Sequence, residues 1–149
     1  MYTREIILIE DNPSDVELTR RAFRKANIAN PLRNFDNGES ALEYLNGFLN
    51  DDKRVNEIPL LILLDINLPL VNGLEILKII KTSPFLRRIL VVMLTTSSEH
   101  RDLEAAYELG ANSYIIKPVD FEKFSELVAQ IGMYWMVINE PPKIISTEE

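Results

Sequence analysis

Residues 58–73 read IPLLILLDINLPLVNG. Residues 60–64 are all apolar, and the run ends on a carboxylate, Asp65. A strand with one wet face alternates apolar and polar side chains. An unbroken run is what a strand covered on both faces requires. The loop that follows carries Asn67, Pro69, Asn72 and Gly73, and residues 73–82 then place Ile76, Leu77 and Ile80 at helical spacing, with Pro84 as the stop. The stretch is therefore a buried strand leading into a helix. It leaves Asp65 at the strand end with no Lys or Arg beside it in sequence. Asp65 either closes the strand or is held there to react.

The same alternation extends in both directions. Residues 6–9 (IILI) form a first apolar run. Residues 12–27 then repeat Leu18, Ala22 and Ala26 every four positions, with Ser14 and Glu17 at capping-box spacing. A weaker strand at 31–35, a turn at 36–38 and a helix carrying Leu42, Leu45 and Leu49 follow, then a polar loop at 51–57. After the central unit come an apolar strand at 88–96, a helix at 98–109 ended by Gly110, a strand at 112–118 and a long helix from 120 to about 139. Five strand–helix alternations with two-sided apolar strands predict an α/β fold. The expected form is a doubly wound, five-stranded parallel sheet, flavodoxin-like in order 2-1-3-4-5, with helices on both faces.

The 149 residues fit one domain, with a core at about 4–139 and a short tail at 140–149. Cysteine is absent, which removes disulfides, thiol nucleophiles and cysteine-ligated metals. A single histidine, His100, argues against a multi-histidine centre and reads as solvated. The net charge of −7 argues against general nucleic-acid binding. The start lacks a signal-peptide core, and no segment is long enough to span a membrane. The expectation is a soluble, cytoplasmic protein that binds neither nucleic acid nor membrane.

In an open α/β sheet, ligands bind beyond the carboxyl ends of the strands. Placed there are Glu10 and Asp11 after strand one, Asp65 after strand three, Thr95 and Thr96 after strand four, and Lys117 with Pro118 after strand five. Two carboxylates about 4 Å apart repel by roughly 4 kcal/mol at an effective dielectric near 20. A hard divalent cation removes that cost. Mg²⁺ suits a site of few carboxylates that keeps its waters and takes a phosphate oxygen. Lys117 adds a mobile point charge and Thr95 a hydroxyl. The set suits a phosphoryl group, no Walker loop is present, and a carboxylate is a possible covalent acceptor.

Those residues, in that order at strand ends, resemble the receiver domains of two-component response regulators over about residues 4–138. The resemblance implies that Asp65, in LLDINLPLVNG, accepts a phosphoryl group from a phosphohistidine on a sensor histidine kinase. It implies Mg²⁺ held by Asp11, Asp65 and the backbone carbonyl of Asn67, with Glu10 acting through water. Lys117 and Thr95 would bind phosphoryl oxygens, Pro118 would follow a cis bond, and Thr95 with Tyr114 would form the switch. The chain is then a phosphoacceptor signalling protein rather than an enzyme with turnover. With only about ten residues after the last helix, it is expected to be a stand-alone regulator whose output is an unidentified downstream protein. The polar loop at 51–57 and the Trp-containing last helix resemble regulators found beside bacterial phytochromes.

Each residue also has a plainer reading. Asp65 alone would cap a turn, Glu10 or Asp11 alone would favour a helix N-terminus, Thr95 alone would end a strand, and Tyr114 alone would be core or surface. Thr96 reads as a packing or capping residue, at capping-box spacing to Glu99. Arg20, Arg21, Arg24 and Lys25 are a wet helix face or, by the resemblance, a kinase-docking face. In the last helix Phe124, Leu127, Val128, Ile131, Tyr134, Trp135 and Ile138 form one stripe, with Met133, Met136 and Val137 opposite. One helix on a sheet buries one stripe, so the second predicts a homodimer or a fold-back of the tail PPKII. Two rival readings are a flavodoxin-like cofactor binder and an aspartate-based phosphohydrolase. The first lacks a phosphate loop, since EDNPSD follows strand one. The second lacks its second acid, since Asn67 stands there.

Overall fold

A computed structural model describes residues 4–50 and 57–138. Five strands, β1 (Ile6–Ile9), β2 (Leu32–Phe35), β3 (Leu61–Leu64), β4 (Leu90–Thr95) and β5 (Ser113–Ile116), alternate with five α-helices. The helices are α1 (Pro13–Lys25), α2 (Gly38–Asn46), α3 (Gly73–Thr82), α4 (His100–Glu108) and α5 (Phe121–Met133). The sheet is parallel throughout, in the order β2-β1-β3-β4-β5. The expected fold and strand order are both present.

The two-sided burial follows from the strand pattern. Ile7, Ile9, Ile62, Leu64, Val91 and Met93 point to one face, where Ala41 and Leu45 of α2, Ile76, Leu77 and Ile80 of α3 and Ala106 of α4 cover them. Ile6, Leu8, Leu61, Leu63, Leu90, Val92 and Leu94 point to the other, against Ala22 and Phe23 of α1 and Phe124, Val128 and Ile131 of α5. Every residue of β1, β3 and β4 is buried. At about 25 cal/mol per Å² of apolar surface, burial of these strands on both faces is a large stabilising contribution. The layers hold the strand ends rigid where the site lies.

Several local expectations change. The N-cap of α1 is Asn12, whose side chain accepts from the N–H groups of Ser14 and Asp15, so Ser14 is not the cap. Helix α4 starts at His100, its N-cap Glu99 makes no side-chain cap bond, and Thr96 is exposed. After Met133 the last helix widens into a π-helical turn, Tyr134–Ile138. Its i→i+5 bonds carry more residues per turn, which shifts the register of the apolar stripe. Tyr134, expected to face the core, is exposed. Met136, expected to face away, is half-buried against the α1–α5 core beside Trp135. Met133 is exposed as expected. The side chains of Val137 and Ile138, most of the 51–57 loop and the tail at 140–149 lie outside the described residues.

Candidate functional site

Neighbouring strands set the site by continuing their ladders one residue past the strand ends. The Asp65 N–H donates to the Ile9 carbonyl at 3.1 Å, the Glu10 N–H to that of Phe35 at 3.0 Å and the Lys117 N–H to that of Thr95 at 2.7 Å. Glu10, Asp65, Thr95 and Lys117 are therefore level at one sheet edge, and all four are buried. Asp11, next along, is exposed.

The Lys117 ammonium sits among three carboxylates. It is hydrogen-bonded to Glu10 Oε1, to Asp15 Oδ2 at 2.9 Å and to Asp65 Oδ2 at 3.3 Å. The other Glu10 oxygen accepts from the Asn12 N–H at 3.1 Å, and Asp65 Oδ1 accepts from the Asn67 N–H at 3.3 Å. Sequence reasoning did not single out Asp15. It was legible only as an acid in the first turn of a helix that begins directly beyond β1.

The charges are unequal in number. Burial pushes the Glu10 carboxyl up to about 7, and the Asp65 charge adds to this, against the bond to Lys117 and its charge. Burial pulls the Lys117 ammonium down. The bond to Glu10, the charges of Glu10 and Asp65 and the bond to Asp15 outweigh burial and leave it above an ordinary lysine. With three acids around one cation in a low-dielectric site, the ammonium stays charged and the most enclosed acid is the one that tends to hold a proton.

Glu10, Asp11 and Asp65 each present a carboxylate oxygen, all within 4.8 Å of one another. Oxygen-only donors, one of them solvent-facing, fit a hard divalent cation that keeps waters. Asn67 lies exposed in the loop beside them.

Thr95 is completely buried, and its Oγ1 accepts from the Ser97 N–H at 3.3 Å. The Ser97 carbonyl accepts from the Tyr114 hydroxyl at 2.9 Å, and the Ser97 hydroxyl donates to Asp102 Oδ2 at 2.6 Å. Ser97 thus joins the two residues expected to form a switch. No periodicity in TTSSE marks it. The Lys117–Pro118 bond is trans, against the cis bond expected. The trans form is intrinsically favoured by about 0.5–1 kcal/mol for a residue before proline. The basic patch on α1 is partly spent within the chain: Arg20 donates to the Leu32 carbonyl, and Arg21 and Arg24 both pair with Glu17.

A family model described as "Response regulator receiver domain" matches residues 6–129. Over 142 residues the chain is 39% identical to "Probable methanogenesis regulatory protein FilR2" of Methanothrix harundinacea, covering 92% of this chain and 86% of that protein. It is 36% identical to "Response regulator Rcp1" of Synechocystis sp., covering 88% of each. Among solved structures it is similar to the phosphorylated cyanobacterial phytochrome response regulator RcpA. That match has a TM-score of 0.86 at 32% identity over 95% of this chain and 100% of that one. It is also similar to the Mn(2+)-bound form of Rcp1, with a TM-score of 0.82 at 33% identity over 94% and 99%.

Proposed function

The chain belongs to the response regulator receiver domain family, and from that premise we propose that Asp65 is its phosphoacceptor and a sensor histidine kinase its donor. The observation that carries the reading is the meeting of Glu10, Asp11, Asp65 and Lys117 from three separate strand ends. A carboxylate oxygen of Asp65 attacks the phosphorus of a phosphohistidine. The new P–O bond forms as the P–N bond breaks, and the electron pair stays on the imidazole nitrogen, which takes up a proton. Catalysis here is positioning and charge neutralisation, the general logic of phosphoryl transfer. Lys117 and Thr95 bind phosphoryl oxygens. Asp11, Asp65 and the Asn67 carbonyl would hold Mg²⁺, with Glu10 acting through water, and the ion would offset charge on the transferring group.

The signal leaves through Thr95 and Tyr114. When Thr95 turns to the phosphoryl group its oxygen leaves the Ser97 N–H. Ser97 also anchors the Tyr114 hydroxyl, so the β4–α4 loop and the face formed by α4, β5 and α5 change together. A downstream protein reads that face. A homodimer forms at α5, where Met133 and Tyr134 are exposed; a monomer by sedimentation in both phosphorylation states would remove this part. Among the described residues no helix is long and apolar enough to cross a membrane, and this reading puts the protein in the cytoplasm. The likeness to the phytochrome response regulator RcpA supports a bacterial phytochrome as the kinase.

The test is to incubate the protein with acetyl phosphate and Mg²⁺ and weigh it intact. The expected result is one added phosphoryl group, absent in Asp65→Asn. No addition in the wild type overturns the reading.

A further inference from the structure

An ammonium has three N–H donors, and Lys117 has given one to each of three carboxylates. Its contact with Asp65, at 3.3 Å, is longer than that with Asp15, at 2.9 Å. An acid in a helix first turn usually serves the helix, by favouring its N-terminal dipole or by accepting the cap residue's N–H. In this chain the second task is already done: the Asn12 N–H is taken by Glu10 Oε2. Asp15 is left free to reach across to β5. Its backbone is held on both sides, with its N–H on Asn12 Oδ1 at 3.4 Å and its carbonyl accepting from Thr19 Oγ1 at 2.7 Å. The carboxylate is thus presented from a fixed turn, and it keeps partial access to water.

We propose that Asp15 is a positioning residue that occupies one of the three Lys117 N–H donors until a phosphoryl group arrives, and so slows phosphorylation. The inference rests on Asp65 being the phosphoacceptor. For Lys117 to bind a phosphoryl oxygen, at least one N–H must leave a carboxylate. Asp15 can release it at least cost, because water can replace the ammonium there, whereas Glu10 is enclosed. Asp15 touches no reacting atom in this scheme and acts only through Lys117.

The experiment measures the initial rate of phosphoryl gain from acetyl phosphate at saturating Mg²⁺, on the full chain. Asp15→Asn is expected to be faster on the order of tenfold, the worth of one charge-assisted hydrogen bond. Asp15→Glu, which keeps the contact, stays within about twofold of wild type. Asp36→Asn removes an exposed charge near Glu10 and Asp11 and changes the rate less than about twofold. Combined with Lys117→Met, Asp15→Asn has no further effect. If Lys117→Met takes up no label, the Asp15→Asn and Asp36→Asn comparison decides. An unchanged or slower Asp15→Asn, an equal gain from Asp36→Asn, or a gain that survives Lys117→Met overturns the role of Asp15. A wild-type protein that gains no phosphoryl group instead overturns the phosphoacceptor reading itself.

Discussion

The Tyr114 hydroxyl donates to the Ser97 carbonyl at 2.9 Å, across the gap between β5 and the β4–α4 loop. Burial, together with the charges of Asp102, Asp65 and Glu99, raises the Tyr114 pKa above an ordinary tyrosine, so the hydroxyl stays a donor near neutral pH. Tyr114→Phe removes the donor and leaves the ring. The expected loss is about 1 kcal/mol in the unphosphorylated protein. Urea unfolding checks it, and an unchanged midpoint would mean that the bond contributes nothing.

Glu10 gives a pH dependence with a definite sign. Its pKa rises from 4.5 in the unfolded chain to about 7 when folded. Between those values the folded protein holds a proton that the unfolded chain has released. Its contribution to stability therefore falls as pH rises through that window. The full span corresponds to roughly 3 kcal/mol. With divalent cations chelated, Glu10→Gln should match wild type near pH 4 and be the more stable protein near pH 8. Thermal unfolding across that range reads the difference, and parallel curves would count against a raised Glu10.

Gly73 admits no side chain. A Cβ there would lie 2.0 Å from the Asp65 carbonyl oxygen and 2.7 Å from the Ile66 Cα, both backbone atoms that cannot step aside. Gly73→Ala is expected to cost more than about 3 kcal/mol and to displace Asp65. Calorimetry gives the first quantity and acetyl phosphate labelling the second; a stable, normally labelled variant would refute the contact.

Leu70 is the converse case. It sits in the left-handed region at φ 67° with 85% of its surface exposed. A left-handed residue with a Cβ costs roughly 1–2 kcal/mol, less for Asn, which bonds locally. Leu70→Asn should raise stability by about 1 kcal/mol. A destabilised Leu70→Asn would show that the leucine side chain makes a compensating contact.

What could be read from sequence was what repeats or terminates a repeat. Two-sided apolar runs gave the parallel sheet, and once the strands were ordered, Glu10, Asp11, Asp65, Thr95 and Lys117 fell on one edge. Asp15 was not legible, because an acid after a capping Asn is ordinary, and only the fold brings the first turn of α1 to the Lys117 side chain that follows β5. Ser97 was hidden in a run of hydroxyl residues whose roles depend on which backbone group faces which loop. Tyr134 and Met136 were placed on the wrong sides because an ideal 3.6-residue period was carried through a turn that is wider. The trans bond before Pro118 turns on a difference of about 1 kcal/mol.

The loops flanking Asp65 differ mechanically. On the α3 side the chain is clamped backbone to backbone, with Gly73 seated on Asp65 and its N–H on the Ile66 carbonyl at 2.9 Å. On the α4 side the fastenings among Thr95, Ser97, Tyr114 and Asp102 each end on a hydroxyl group, which can swivel and re-pair. One side is an anvil and the other a spring. A load placed on Asp65 is therefore relieved toward α4 and β5, and the stiffness of Gly73 sets the direction in which the molecule yields.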